Sequence, residues 1–200
     1  GKTTYAMEGS IFIAGAGVQW LRDRMKFFKK APETEKIVKS LKDNNNIYLV
    51  PAFTGLGAPY WDANARGVLS GITRDTSPNE IVRATIEAVA YQTYDLFEAM
   101  KHDGLRPKIV KVDGGMVNNN WFSQFLSDIV NVKVLRPKVQ ETTALGAAFM
   151  AGLHLGVYKS LKDISKNWSI DKKFNPKMKN KKRTKLIKGW LKAIKRTLIN

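Results

Sequence analysis

Short runs of apolar residues alternate along the chain with segments in which apolar residues recur every three or four positions. The apolar, β-branched runs at residues 47–50, 109–112 and 132–135 predict strands, and the periodic segments predict helices. Helices that alternate with strands indicate a sheet with helices packed around it, rather than a helical bundle or a β-sandwich. The pattern therefore predicts an α/β fold.

The longest predicted helix begins after Ser77. This residue can cap the helix, Pro78 suits the first helical position, and Glu80 stands three residues after the cap, as in a capping box. The segment continues for about 22 residues with one apolar face, as expected of a core helix. That face consists of Val82, Ile86, Val89, Thr93, Leu96 and Met100. Three carboxylates are predicted to lie on its solvated face: Glu87, Asp95 and Glu98.

The remaining elements are shorter. Residues 10–25 predict a strand that leads into a helix, and Gly15 and Gly17 near the start of this helix indicate a close neighbour, either another helix or a ligand. Gln19 in the same helix could bind a ligand or face solvent. The glycine- and aromatic-rich loop at 55–62 is predicted to be packed or functional. Further strands are predicted at residues 5–9 and 66–72, and further helices at residues 33–42 and 121–129.

Residues 109–120 predict a strand, a tight turn and the start of a helix. Gly114 and Gly115 allow backbone angles and a close approach that a Cβ would prevent, and a helix N-terminus carries unpaired N–H groups with partial positive charge. This combination suits the ribose or the phosphates of a nucleotide. A compact connection between a strand and a helix is the alternative interpretation, and the pattern alone leaves both open.

Residues 142–152 predict a helix that Thr142 or Thr143 caps. Several of its residues are glycine or alanine, and side chains this small let another helix approach closely. The neighbour could be a sliding or hinging domain, or a static part of the same fold. The small residues of this helix are Gly146, Ala147, Ala148, Ala151 and Gly152.

Length and composition limit the class of protein. Two hundred residues suffice for one α/β domain with an appendage. The absence of cysteine excludes disulfides and thiolate zinc sites and fits a reducing compartment. No apolar run has the length of a membrane span and the first residues do not form a secretory signal, so we expect a cytoplasmic protein without membrane attachment. Because the chain begins with Gly, we also expect it to be part of a larger protein.

The net charge of +17 is concentrated near the C-terminus. Residues 159–200 hold 15 basic and 2 acidic side chains, against 19 and 15 in residues 1–158. An amphipathic helix that docks on its own domain explains this segment, and a basic nucleic-acid-binding surface is the less favoured alternative, because the charge is not interleaved with exposed aromatic residues. The apolar stripe of the predicted helix consists of Ile187, Trp190, Leu191, Ile194 and Leu198.

Several motifs together resemble the FGGY family of carbohydrate kinases. The resemblance extends from Tyr5 to about Tyr158 and concerns the C-terminal domain of the family. The motif Pro-Ala-Phe-Thr-Gly-Leu-Gly-Ala-Pro-Tyr-Trp-Asp at residues 51–62 is most typical of members that phosphorylate glycerol. The other matching stretches are Met7-Glu8-Gly9-Ser10, Ala14-Gly15, residues 18–23, residues 67–87, Val112-Asp113-Gly114-Gly115 and residues 142–148.

The resemblance implies an actin-like ATPase or ribonuclease-H-like fold, a mixed sheet flanked by helices, with ATP and Mg²⁺ as cofactors. It also implies that the N-terminal half of a kinase completes the cleft, binds glycerol and supplies the catalytic aspartate, so no catalytic or metal-binding residue is expected in this chain. A homo-oligomer is expected for the intact protein. The implied nucleotide-binding residues are Gly15, Val18, Gln19 and Ala31 on one side of the cleft, and Gly115, Met116 and Asn119 on the other.

The same resemblance implies a division of the chain. Residues 1–158 would form the C-terminal kinase domain without its first strands, and residues 159–200 a basic, partly helical extension docked on it. The helix at 142–152 would connect this domain to the N-terminal one, and Asp113 would order the turn rather than act as a base. The chain alone is expected to be inactive. A non-catalytic remnant, or a split-kinase module that only associates with other chains, is the alternative.

Overall fold

A computed structural model describes residue 3 and residues 5–198 of the chain. The helices are α1 (Gly15–Asp23), α2 (Glu33–Ser40), α3 (Pro78–His102), α4 (Asn120–Val130), α5 (Thr142–His154), α6 (Leu161–Ser165) and α7 (Asn180–Thr197). The strands are β1 (Tyr48–Val50), β2 (Val68–Ser70), β3 (Ile109–Lys111), β4 (Lys133–Pro137) and β5 (Ile170–Phe174). A 3-10 turn, Gly115–Asn118, lies between β3 and α4 and is called the Gly115 turn below.

Two sheets organise the strands. In the larger one, of order β3-β4-β5, β3 is parallel to β4 and β5 is antiparallel to it, so the predicted mixed sheet flanked by helices is confirmed. In the smaller one, β1 and β2 form an antiparallel pair. The sequence did not predict β5, because its residues Asp171, Lys172 and Lys173 interrupt any apolar pattern. Its place in the sheet depends on pairing with β4.

Helix α3 runs through the centre of the molecule. Its start has the predicted capping box, in which Ser77 accepts from the backbone N–H of Asn79 and Glu80 accepts from the backbone N–H of Ser77. The helix lies against α1, α2, α4 and β1, and every residue from Val82 to Tyr91 is buried. A helix enclosed on this scale positions all the elements around it.

The prediction that Glu87 lies on a solvated face is wrong, since this side chain is fully buried. Its carboxylate accepts from Arg83 Nε at 2.7 Å and from the hydroxyl of Tyr91 at 2.9 Å. Arg83 also donates to the carbonyl of Leu41 at 2.7 Å. Burial raises the pKa of Glu87, while the Arg83 guanidinium acts in the opposite direction. Around Glu87, α3 is surrounded by protein on all sides, so no face of the helix is exposed to solvent there.

Near the N-terminus, the strands predicted at residues 5–9 and within 10–14 are also wrong, because these residues are irregular. Within the described part of the chain, no strand pairs with them. The cap predicted for α5 is wrong as well: Glu141 occupies the N-cap position without a side-chain hydrogen bond, and Thr142 donates to Asp113 instead. That contact ties α5 to the turn after β3.

Helix α7 packs its apolar side against β1 and β2. Of the predicted stripe, Ile187, Trp190 and Ile194 are buried, whereas Leu191 and Leu198 are each 38% exposed. The stripe is therefore rotated from the predicted one, with Leu186 and Ala193 also buried. The lysines of α7 lie on the opposite, exposed side. Among residues 3 and 5–198, none of the helices combines the length and the apolar composition that a membrane span needs.

Asp95 was likewise predicted to be solvated, and it is buried. Its Oδ2 accepts from the hydroxyl of Tyr60 at 2.8 Å and from the indole N–H of Trp190 at 2.7 Å. The ring of Trp190 stacks on that of Tyr91 at 5.3 Å. The carboxylate thus joins the 55–62 loop, α3 and α7. Burial raises the pKa of Asp95 from 3.8 to about 6, against the hydrogen bonds from Trp190 and Tyr60.

This raised pKa predicts how stability varies with pH. The folded chain holds a proton on Asp95 over a pH range in which the unfolded chain has lost it, so stability present below pH 4 is lost as the pH rises through about 6. Asp95→Asn keeps an acceptor oxygen but cannot titrate. From pH 4 to pH 7, the free energy of unfolding of the natural chain should therefore fall by about 2 kcal/mol relative to that of the variant.

Urea unfolding of both proteins at four pH values measures this difference. Asp163→Asn is the matched control, because this carboxylate is partly exposed and its pKa is lowered by a hydrogen bond from Lys166. If the free energy of unfolding changes with pH in the same way for the natural chain and for Asp95→Asn, the raised pKa of Asp95 is contradicted.

Candidate functional site

A cavity of about 360 Å³ lies between α1, the start of α2 and the Gly115 turn. Its size is in the range of small-molecule sites, and its lining is largely apolar with a few polar groups. All seven residues predicted from the sequence to bind a nucleotide line it: Gly15, Val18, Gln19, Ala31, Gly115, Met116 and Asn119. Their role in binding stays a prediction, whereas their convergence is a property of the fold.

The first wall of the cavity is formed by α1. A Cβ on Gly17 would lie 2.9 Å from Cγ2 of Thr85 on α3, so this glycine is required by helix packing. A Cβ on Gly15 would meet no atom within 4 Å, so no protein neighbour requires that glycine. Helix packing therefore explains Gly17, whereas for Gly15 the other explanation, space for a ligand, is left. Gly15 leaves open space at the cavity, beside Val18 and Gln19 of the same helix.

The opposite wall is the Gly115 turn. Gly114 has a φ of 79°, which side chains rarely adopt, so glycine is needed at this position for the backbone itself. Gly115 has no such constraint, and a Cβ on it would meet no atom within 4 Å. The buried side chain of Val117 holds the turn against the core. The turn separates β3 from α4, which begins at Asn120, close to the start predicted for the helix at 121–129.

Asn119 joins the two walls. Its Oδ1 accepts from the backbone N–H of Phe122 at 3.0 Å, which caps α4, and its Nδ2 donates to Oγ1 of Thr34 at 3.4 Å. Thr34 belongs to α2, which starts just after Ala31 on the other side of the cavity. The side chain of Asn119 therefore fixes the shape of the cavity as well as lining it.

Six further residues line the cavity that sequence reasoning did not assign. Arg22 is charged, and so is Glu35. Lys39 Nζ lies 2.5 Å from its Oε1, and the backbone N–H of Asn120 donates to its Oε2 at 3.4 Å. Burial acts to raise the pKa of Glu35, but these hydrogen bonds outweigh it and the pKa is lowered. The six are Arg22, Pro32, Thr34, Glu35, Ile86 and Asn118.

Asp113, the acid next to the glycines, is exposed and accepts from Thr142, and it does not line the cavity. Across residues 3 and 5–198, no group of three His, Cys, Asp or Glu side chains could hold a metal ion. The arrangement is suited to binding a partly apolar ligand with a few polar groups.

A mixed sheet with flanking helices and a cavity beside a strand–turn–helix connection has the architecture of the actin-like ATPase fold, to which the structural neighbours of the chain belong. The crystal structure of Plasmodium falciparum glycerol kinase with ADP superposes with a TM-score of 0.85 and 39% identity, over 96% of this chain and 38% of that one. A ligand-bound xylulose kinase from Lactobacillus acidophilus superposes with a TM-score of 0.80 and 26% identity, over 96% and 40%.

The sequence comparison identifies the family. Residues 1–155 match the C-terminal domain of the FGGY family of carbohydrate kinases, and the chain belongs to this family. It is 54% identical over 199 residues to the glycerol kinase of Clostridium botulinum (strain 657 / Type Ba4). That match covers 99% of this chain and 40% of the relative, so the chain spans well under half the length of the curated relatives it matches.

The cap at Asn119 predicts a difference between two substitutions. Asn119→Ala removes the acceptor for the N–H of Phe122 and should lower the free energy of unfolding by about 1 kcal/mol, whereas Asn119→Asp keeps the acceptor and should leave it nearly unchanged. Chemical denaturation of the three proteins measures the difference. Equal losses for Ala and Asp would show that the side chain does not cap α4.

Proposed function

We propose that the chain supplies the C-terminal, nucleotide-binding half of an ATP-dependent kinase that phosphorylates glycerol to glycerol 3-phosphate. The observation that carries this proposal is the convergence of the seven predicted residues on one cavity. The relatives support it, since the chain is 54% identical to the glycerol kinase of Clostridium botulinum and similar in fold to the Plasmodium falciparum glycerol kinase with ADP.

In this proposal the adenosine part of the nucleotide lies between the two walls of the cavity. Gly15 and Gly115 leave space for it on opposite sides, since a Cβ at either position would point into open volume. Val18 and Met116 offer apolar contact, and Gln19 offers donors and an acceptor at the edge. Apart from Arg22 and Glu35, the groups that line the cavity are neutral or apolar, which suits a nucleoside better than a phosphate.

Transfer of the phosphoryl group requires more than this chain offers. A base for the attacking hydroxyl, a metal ion and dipoles at the phosphates are needed. The part of the chain that the structure describes has no cluster for Mg²⁺. Following the resemblance to the family, we assign the base, the glycerol site and the metal contacts to an N-terminal half. The assembled enzyme is defined here as this chain together with that half, on one polypeptide or two.

Helix α5 is proposed as the connection to that half. The helix is apolar over most of its length and yet has no buried residue. A Cβ on Gly146 would meet no atom within 4 Å, so this face of small residues has room for a neighbour.

We also propose that residues 1–158 form the kinase domain and that residues 159–200 form an extension docked on it. The assembled enzyme is proposed to be a cytoplasmic homo-oligomer. The buried apolar side of α7 supports docking rather than nucleic-acid binding.

The assembled enzyme should form ADP from ATP and Mg²⁺ only when glycerol is present, because the acceptor hydroxyl must be in place for transfer. The chain alone should show no such activity. A coupled assay of ADP release measures both, with xylulose as the comparison substrate. Turnover of xylulose without turnover of glycerol would contradict the substrate, and activity of the isolated chain would contradict the division of the catalytic residues.

Gly115→Val should obstruct the cavity without unfolding the domain, because its Cβ meets open space and its φ is an ordinary one. In the assembled enzyme, the KM for ATP should rise at least about tenfold while the KM for glycerol stays within twofold. Ala16→Val is the matched control, since it adds a side chain at an exposed position of α1 outside the cavity. Steady-state kinetics and the Tm of each variant are needed. A folded Gly115→Val enzyme with an unchanged KM for ATP would remove the nucleotide from this cavity.

A further inference from the structure

A buried arginine lies directly behind the Gly115 turn. Arg136, on β4, is only 8% exposed. Its Nη1 donates to the carbonyl of Val117 at 2.8 Å and to the carbonyl of Asn118 at 3.4 Å. Both carbonyls belong to the turn that forms one wall of the cavity. One guanidinium group therefore connects the sheet to the backbone of that wall.

The rest of this guanidinium is held by a residue of β5. Nε and Nη2 of Arg136 lie 2.7 and 2.6 Å from Oδ2 of Asp171. The carboxylate of Asp171 thus fixes the plane of the guanidinium, which leaves Nη1 directed at the turn. Charge-assisted hydrogen bonds of this kind are the stronger ones in proteins.

A β-bulge brings Asp171 to this position. Arg136 pairs with Lys172 and Pro137 pairs with Ile170, so Asp171 has no partner of its own on β4. In a regular strand, Asp171 and Lys172 would point to opposite faces of the sheet. The bulge breaks this alternation, and bulges commonly redirect a side chain in this way. The strand itself lies beyond residue 155, where the match to the family's C-terminal domain ends.

We propose that Arg136 and Asp171 are a pair of positioning residues for the nucleotide site, through which the C-terminal segment sets the geometry of the Gly115 turn. Neither side chain lines the cavity, so the pair acts through the backbone of Val117 and Asn118. The inference rests on the proposed function, which places the nucleotide against the Gly115 turn.

The pair can be broken without unfolding the domain. The side chain of Asp171 is 42% exposed and that of Arg136 is 10% exposed, so Asp171→Ala leaves a largely buried guanidinium that can still donate to the turn, with some loss of stability. The carbonyl of Val117 keeps a second donor, Ser123 Oγ at 3.1 Å, when the arginine moves. Loss of Asp171 should therefore loosen the turn and leave the core intact.

The experiment compares Asp171→Ala, Asp171→Glu and Lys173→Met in the assembled enzyme. Asp171→Ala should raise the KM for ATP roughly fivefold, with kcat and the KM for glycerol within twofold and a Tm that falls but stays above the assay temperature. Asp171→Glu restores the carboxylate and should bring the KM for ATP back toward the natural value. Lys173→Met removes an exposed charge from the same strand and should change none of these quantities. Arg136→Met should raise the KM for ATP more than Asp171→Ala does. If Arg136→Met does not fold, the Asp171 variants alone decide the test.

The outcomes separate the two proposals. If the unmodified assembled enzyme gives no glycerol-dependent ADP, the proposed function itself fails. If it is active, the positioning role is overturned by an unchanged KM for ATP in Asp171→Ala, by equal rises in the KM for ATP and for glycerol, or by an Asp171→Glu enzyme no better than Asp171→Ala. A rise in the KM for ATP alone in Asp171→Ala, reversed in Asp171→Glu, supports the positioning role.

Discussion

The structure depends on the burial of α3 together with its charged side chains. The ion pair between Arg83 and Glu87 lies in the core, where an unpaired charge would be strongly unfavourable. The pair is acceptable because Tyr91 and the carbonyl of Leu41 take up further hydrogen bonds of the two groups. These bonds fix the rotation of the helix and bind it to the end of α2. A helix held this way defines where its neighbours can lie.

The candidate site follows from that arrangement. Gly17 lets α1 approach Thr85 of α3, which places Gly15 at the cavity. Ile86 of α3 lines the same cavity. On the opposite side, α4 packs along α3, and its cap Asn119 reaches across to Thr34. The cavity is therefore the gap between α1, the start of α2 and the Gly115 turn, and α1, α2 and α4 all pack on one central helix.

The sequence predicted α3, its capping box and the α/β arrangement, because these depend on local pattern. It also predicted seven residues of the cavity through family motifs. It could not predict the burial of Glu87 or Asp95, since the groups that enclose them come from other elements, Leu41 and Trp190 among them. Strand β5 was missed for a similar reason: its polar residues face an arginine and a helix start that are distant in sequence. Thr34 and Glu35 carried no signal apart from their position after Ala31.

The central claim is that the cavity between α1 and the Gly115 turn holds a nucleotide. A crystal structure of the chain, alone or in the assembled enzyme, grown with ADP tests it most directly. The account predicts density for the adenosine between Gly15 and Gly115, with Met116 and Gln19 in contact with it. Density for ADP at another place on the domain, with this cavity filled only by solvent, would contradict the account.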